Sequence, residues 1–238
     1  MRASHGGPQP PGDQPLHSLH PALYRNRKFD LRFIVALRSI RPLSLAMYER
    51  WVVRCADDEY STGGFANLRS HLTVMQYLDD ADGGEEMKEE PAGGSKKREW
   101  VTREQLVGEL AVAYGPTCSE QHISAVCGAA ILDCFRLATA GLRGAANEII
   151  GIDPNGAHAK TRACYGVDLL LRPSSTGVGL EPVLLEVNYK PDLRRVLHEN
   201  PEFYNELFPM LFAQEGETTA AVPPGWRSYL DCSERSEG

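Results

Sequence analysis

Residues 27–38 read RKFDLRFIVALR, and the alternation in their first half is unbroken: Phe29, Leu31 and Phe33 fall on one side of an extended chain, Lys28, Asp30 and Arg32 on the other. Successive side chains change face along a strand, whereas on a helix a face recurs about every 3.6 residues, so the pattern demands a sheet with one core face and one charged face. PLSLAMYERWVVR follows a turn at Arg41-Pro42 and predicts an antiparallel partner strand that ends at Arg54.

The rest of the chain supplies a helix and a second strand pair. In SEQHISAVCGAAILDCFRLATAG, Ile123, Val126, Ala130, Cys134, Leu137 and Ala138 recur at helical spacing, with Ser119 placed as cap and Gly141 as stop. ACYGVDLLLR and PVLLEVNYK, separated by the turn-rich PSSTGVG, predict a second antiparallel pair. Helices are expected near Asp192 and near Pro201, the latter capped by Asn200, with Pro209 kinking it or ending it early. Strands and helices in this arrangement make an α+β fold, an antiparallel sheet flanked by helices.

Composition bounds the rest. The chain has 238 residues, 42% of them hydrophobic, which is enough for a real core. Three low-complexity stretches lie outside it: a leader over residues 1–21, an insert over 79–99 and a tail over 214–238, whose compositions bury too little apolar area to offset ordering entropy. The domain is then residues 22–213, and the acidic-then-basic insert reads as a solvated loop. A net charge of -7 argues against nucleic acid or an anionic membrane as the main partner. No run of about 18 apolar residues and no leader with an apolar centre occurs, so a soluble, unsecreted, cytoplasmic chain is expected. The six cysteines include no C-x-x-C pair and read as reduced packing residues.

One strand breaks its own pattern. Glu186 and Asn188, two apart in PVLLEVNYK, share a face, while Leu185 and Val187 point the other way, into core. Asp168, where YGVDLLL turns wholly apolar, can lie across from them on the paired strand. Two carboxylates and an amide oxygen in one small volume are costly without a balancing cation, and hard oxygen donors suit Mg²⁺. The plainer alternative is a solvated polar face with Asp168 as a turn residue. The neighbouring Lys28, Asp30 and Arg32 favour a polyanionic ligand, since phosphoryl transfer relies on positioning and charge neutralisation.

RKFDLRFIVALR, SHLTVMQY, YGVDLLL and LLEVNYKPDL resemble, in order and approximate spacing, the C-terminal half of the tubulin-tyrosine ligase-like proteins, an ATP-grasp family, over about residues 27–212. The resemblance implies an ATP-grasp C-terminal subdomain. It implies that Lys28, Asp30 and Thr73 bind ATP and that Asp168, Glu186 and Asn188 hold Mg²⁺. Arg32 would fix phosphate or the acceptor carboxylate, and Arg54 would grip the amino-acid substrate. The implied reaction turns a carboxylate of tubulin or another protein into an acyl phosphate with ATP, and an amino group then forms an amide. The implied location is cytoplasmic and near the cytoskeleton.

The sequence also departs from the family pattern. Val74 replaces the asparagine after the threonine, Glu49 and Trp51 replace an arginine and a glycine around Tyr48, and Lys190 stands two residues past Asn188, within reach of a phosphate or of the metal. Nothing before Tyr24 reads as the adenine clamp and lid that such a site needs. The expectation is a chain truncated at its N-terminus, with half an active site, acting as a ligase or as a binding scaffold without turnover.

Overall fold

A computed structural model describes residues 20–40, 42–73, 100–140, 162–175, 177–212 and 222–230. The expected leader up to residue 19 and the insert, together with Arg41, Val74 and Gly141, lie outside the described residues. The chain divides into two compact units, one comprising residues 1–30, 53–123 and 170–183, the other residues 31–52, 124–169 and 184–238.

The second unit is built on an antiparallel sheet. Its strands are β2 (Arg27–Ile40, which starts in the first unit), β3 (Leu43–Tyr48), β5 (Ala163–Pro173), β6 (Leu180–Tyr189) and β7 (Trp226–Leu230), in the order β6-β5-β2-β3-β7. β2 and β3 pair antiparallel as expected, with Val35 opposite Met47 and Ala36 opposite Ala46. The expected partner strand is two strands. β3 stops at Tyr48, Trp51 turns inward, and β4 (Val52–Cys55) returns to pair with β2 on its own. The tail expected over 214–238 contains β7, whose Leu45-facing Tyr229 and Tyr48-facing Trp226 complete the sheet beyond β3. Five residues with two aromatics are short for a strand signal, and a ready-made edge on β3 supplies the missing drive.

One face of this sheet carries Ile34, Ala36, Ala46, Tyr48 and Trp226 against α4 (Arg194–Glu199) and α5 (Phe203–Phe212) through Val196, Phe203, Leu207, Met210 and Leu211. Tyr48 meets Phe203 edge-on and Trp226 at a tilt, each at 5.1 Å between ring centroids. Asn200 caps α5 through its side chain, which accepts from the Glu202 amide. Pro209 does not end that helix, which runs three residues further, to Phe212. Buried Met210 and Leu211 hold the last turn against the sheet, and that packing outweighs one lost hydrogen bond.

On the opposite face lies α3 (Glu120–Ala140), capped by the Ser119 hydroxyl accepting from the His122 amide. Its buried stripe is Ile123, Cys127, Ile131 and Phe135, and the expected member Leu137 is 77% exposed. The spacing is right and the phase is off by about one residue, because alanines and cysteines do not say which side of such a helix the core will take. By length and composition α3 is apolar enough to cross a membrane. One stripe of it packs on the sheet: Trp51 donates to Ser124 at 2.9 Å, and a Cβ at Gly128 would clash with the Tyr229 hydroxyl.

In the first unit, β1 (Leu23–Tyr24) and the start of β2 form a two-residue hairpin whose corner residues Arg25 and Asn26 both have positive φ, the geometry that matches strand twist. α1 (Leu68–His71) is a single turn. α2 (Arg103–Tyr114) was not anticipated from its weak periodicity, although TREQ spells its N-terminus: Thr102 and Gln105 form a reciprocal capping box. Leu106 and Leu110 bury it.

Candidate functional site

The charged face of β2 is buried at Asp30 and half-buried at Lys28 and Arg32. Asp30 is 3% exposed and Asp168 1%, so each carboxylate needs a partner, and each has an arginine. In the second unit Arg32 stands opposite Asp168 in the β2–β5 register. Its Nε and Nη2 donate to the two carboxylate oxygens at 2.8 Å each, the fork-to-fork geometry that makes arginine–carboxylate pairs strong. Gly166, on the same face of β5, makes room for this: a Cβ there would stand 3.6 Å from Arg32 Nε and 2.7 Å from Pro191 Cβ. Neither Gly166 nor Pro191 was singled out from the sequence, where a glycine in a strand run is the available signal.

Glu186 joins this pair from β6. Its carboxylate is 4.0 Å from Arg32 Nη2, and Asn188 donates to the same oxygen at 2.7 Å. The backbone amide of Lys190 donates to the Cys164 carbonyl, which places β6 beside β5 with Glu186 and Asp168 each four residues further in. Asp168 and Glu186 therefore both face Arg32, and Asn188 reaches Glu186 rather than the guanidinium. A correction concerns the other face of β6: Leu185 and Val187 are 46% and 38% exposed, not core, because β6 is the sheet's edge strand and no described residue covers that face. Lys190 adopts a left-handed backbone, φ 57°, and its ammonium lies over the Tyr189 ring at 5.4 Å.

The first unit holds the other four expected residues. Asp30 accepts from Arg54 Nε at 2.5 Å and from the Thr73 hydroxyl, so β2, β4 and the loop after α1 meet on one carboxylate. Arg54 lies within β4 rather than at its end. Lys28 is half-buried one alternation before Asp30, and its carbonyl takes the Ala56 amide.

Donor chemistry bears on a metal. Among the described residues no group of three His, Cys, Asp or Glu side chains gathers. Asp168, Glu186 and the Asn188 amide oxygen are hard donors that fit Mg²⁺, with Arg32 now balancing the carboxylates. The residues replacing the family's arginine and glycine have structural partners: Glu49 pairs with Arg227 at 2.7 Å, and Trp51 packs on Phe33.

A family model, the tubulin-tyrosine ligase family, matches residues 19–227 of the chain. The chain belongs to that family. It is similar to tubulin–tyrosine ligase-like protein 12 of Caenorhabditis briggsae and of Caenorhabditis elegans, at 29% identity over 198 residues in each case, covering 82% of this chain and 26% of theirs. With the human protein of that name the identity is 29% over 193 residues, 79% of this chain and 26% of the relative. The chain thus spans about a quarter of the length of these family members.

Proposed function

We propose that the chain contributes to an ATP- and Mg²⁺-dependent ligase of the ATP-grasp type that joins an amino acid to a carboxylate of a protein, tubulin or another, in the cytoplasm near the cytoskeleton. The observation that carries this reading is the bidentate Arg32–Asp168 pair with Glu186 and Asn188 beside it: a guanidinium fork flanked by hard oxygen donors, which is what a metal–phosphate complex requires.

In this reading a carboxylate oxygen attacks the terminal phosphorus of ATP and ADP leaves. An amine then attacks the acyl carbon, phosphate leaves, and the ammonium proton passes to solvent as the amide forms. Bound Mg²⁺ supplies charge neutralisation at the phosphates. Arg32 orients phosphate oxygens through the fork that now holds Asp168, while Asp168, Glu186 and Asn188 hold the cation. Lys28, Asp30 and Thr73 serve the nucleotide, and Arg54 grips the amino acid by its carboxylate. The family name supports a ligase, and in this reading the departures at Glu49 and Trp51 alter the substrate loop.

A second reading, a scaffold for a protein partner without turnover, is favoured by the exposed Leu185, Val187 and Tyr189 on the edge strand β6. Calorimetry of ATP with and without Mg²⁺, on the native chain and on Glu186→Gln, separates the two. The ligase reading expects Mg²⁺-dependent binding that the substitution removes. Equal binding by the variant, or none by the native chain, overturns it.

A further inference from the structure

Strand β6 ends the sheet, and among the described residues only β5 pairs with it. The Lys190 amide donates to the Cys164 carbonyl, and in an antiparallel ladder alternate residues bond to the same side. The amides and carbonyls of Glu186 and Asn188 therefore turn to β5, and those of Leu185, Val187 and Tyr189 turn to the open edge. Natural sheet edges are commonly blunted by lysine or proline. Between Leu184 and Tyr189 neither occurs: Pro182 comes earlier in the strand, and the one charged residue, Glu186, faces Arg32.

The side chains of this edge are as unpartnered as its backbone. Leu185, Val187 and Tyr189 share one face of β6, and all three are exposed. Tyr189 extends an aromatic layer that starts in the core: Phe135 of α3 meets Tyr165 at 5.3 Å between ring centroids, and Tyr165 meets Tyr189 at 6.0 Å.

A second copy of β6, antiparallel and related by a two-fold axis, continues both the ladder and the layer in a single register. With the axis at Val187, Leu185 stands opposite Tyr189 of the second copy with their bonding groups turned to each other, and the apolar stripe runs on across the axis. On the other face Glu186 stands opposite Asn188 of the second copy, an acceptor against an amide donor. An axis at Glu186 sets two carboxylates against each other. An axis at Asn188 sets Leu185 against Pro191, beyond the strand's end and past the left-handed Lys190. An axis between two residues turns the bonding groups of each strand away from the other.

We propose that the chain self-associates through β6, two copies joining their sheets across a two-fold axis at Val187, so that Asn188 of each copy stands beside the Glu186 cluster of the other. This pairing gives to a second copy the surface that the scaffold reading gives to another protein, and it holds whether or not the chain binds ATP. A strand pair of this length buries less than the ~800 Å² per partner of a standard interface, so dissociation in the micromolar range is expected.

Two measurements on the full chain test it. In sedimentation equilibrium at micromolar to submillimolar loading, the native chain is expected to exchange between monomer and dimer, and Val187→Lys, which sets two ammonium groups on the axis, to weaken the dimer roughly tenfold or more. Under mild oxidation Val187→Cys is expected to give a disulfide-linked dimer on a non-reducing gel, because residues opposed in this ladder have Cα atoms about 5.5 Å apart, within disulfide reach. Leu185→Cys, whose two copies lie about 13 Å apart in this register, is expected to cross-link no more than the native chain. Val187 is exposed, so the cysteine variant reports the register even if Val187→Lys does not fold. A native chain that stays monomeric overturns the pairing and leaves the edge to a strand of a different protein, and a folded Val187→Lys that associates like the native chain overturns it too. Cross-linking no greater in Val187→Cys than in Leu185→Cys overturns the register, and a mass that keeps rising past the dimer overturns the closed pair.

Discussion

The two buried aspartates among the described residues are paired by the same chemistry and finished differently. Asp30, in the first unit, is closed on all sides: Arg54 takes one oxygen and Thr73 the other. Asp168, in the second, gives both oxygens to Arg32, whose guanidinium also faces an exposed glutamate at 4.0 Å. A carboxylate satisfied by buried neighbours holds a fold together. A carboxylate whose counter-ion also meets an exposed acid has a neighbour free to exchange partners, which is what a ligand site needs.

Substitutions separate these roles. The largest effect is expected from Asp168→Ala, which removes the carboxylate that takes both arms of the Arg32 fork: a loss of about 3–5 kcal/mol in urea unfolding followed by the fluorescence of Trp51 and Trp226. A loss below about 1 kcal/mol would mean that Glu186 takes over the guanidinium and that the two pairs differ less than their geometry says. Asp30→Asn keeps an acceptor for Thr73 and removes only the charge, so about 1–3 kcal/mol is expected, read as faster exchange of the Ala56 and Tyr60 amides. Gly166→Ala pushes a methyl into Pro191 and crowds Arg32, with an expected cost of about 1–3 kcal/mol and no counterpart near Asp30. Glu186→Gln should move stability by no more than about 0.5 kcal/mol while changing ligand binding, whereas Asp30→Asn should also cost stability.

The smallest effect is local and depends on pH. At the start of β6, Glu181 accepts from the Ser174 and Ser175 hydroxyls and the Ser175 amide, and those bonds, with help from Arg172, hold its pKa down at about 2. A depressed carboxylate stabilises the folded turn above its ordinary value of 4.5, and the contribution disappears as pH falls through about 2. The amide resonance of Ser175 should therefore titrate near pH 2; titration near 4.5 would show that the serine bonds do not form. Neither aspartate pair shares this exposed arrangement.

Much of the candidate site was legible because strand periodicity is strict. Lys28, Asp30 and Arg32 share a face whatever the rest of the chain does, and so do Glu186 and Asn188. What alternation cannot say is whether a polar face meets solvent or another layer. The face of β2 turned out buried or half-buried and the apolar face of β6 exposed, because β2 is central and β6 is an edge. Helix α3 taught the same lesson, its period correct and its phase decided by what packs on it.

By itself, then, the sequence determined strands over 27–38, 163–172 and 182–190, the capped helix from Ser119 and the antiparallel pairings. Each of these is set by neighbours a few residues apart, through side-chain alternation, helical spacing or a turn. Only the tertiary structure decided that Arg32 faces Asp168 and Arg54 faces Asp30, that Trp51 turns inward to break one strand into two, that β7 returns to the sheet, and that Arg38 is buried with its Nε unpaired. Those outcomes are choices among distant partners of equal chemistry, Arg32 and Asp168 being 136 residues apart, and they are made by burial: a charge that the core covers must take whichever counter-charge the folded backbone brings within reach.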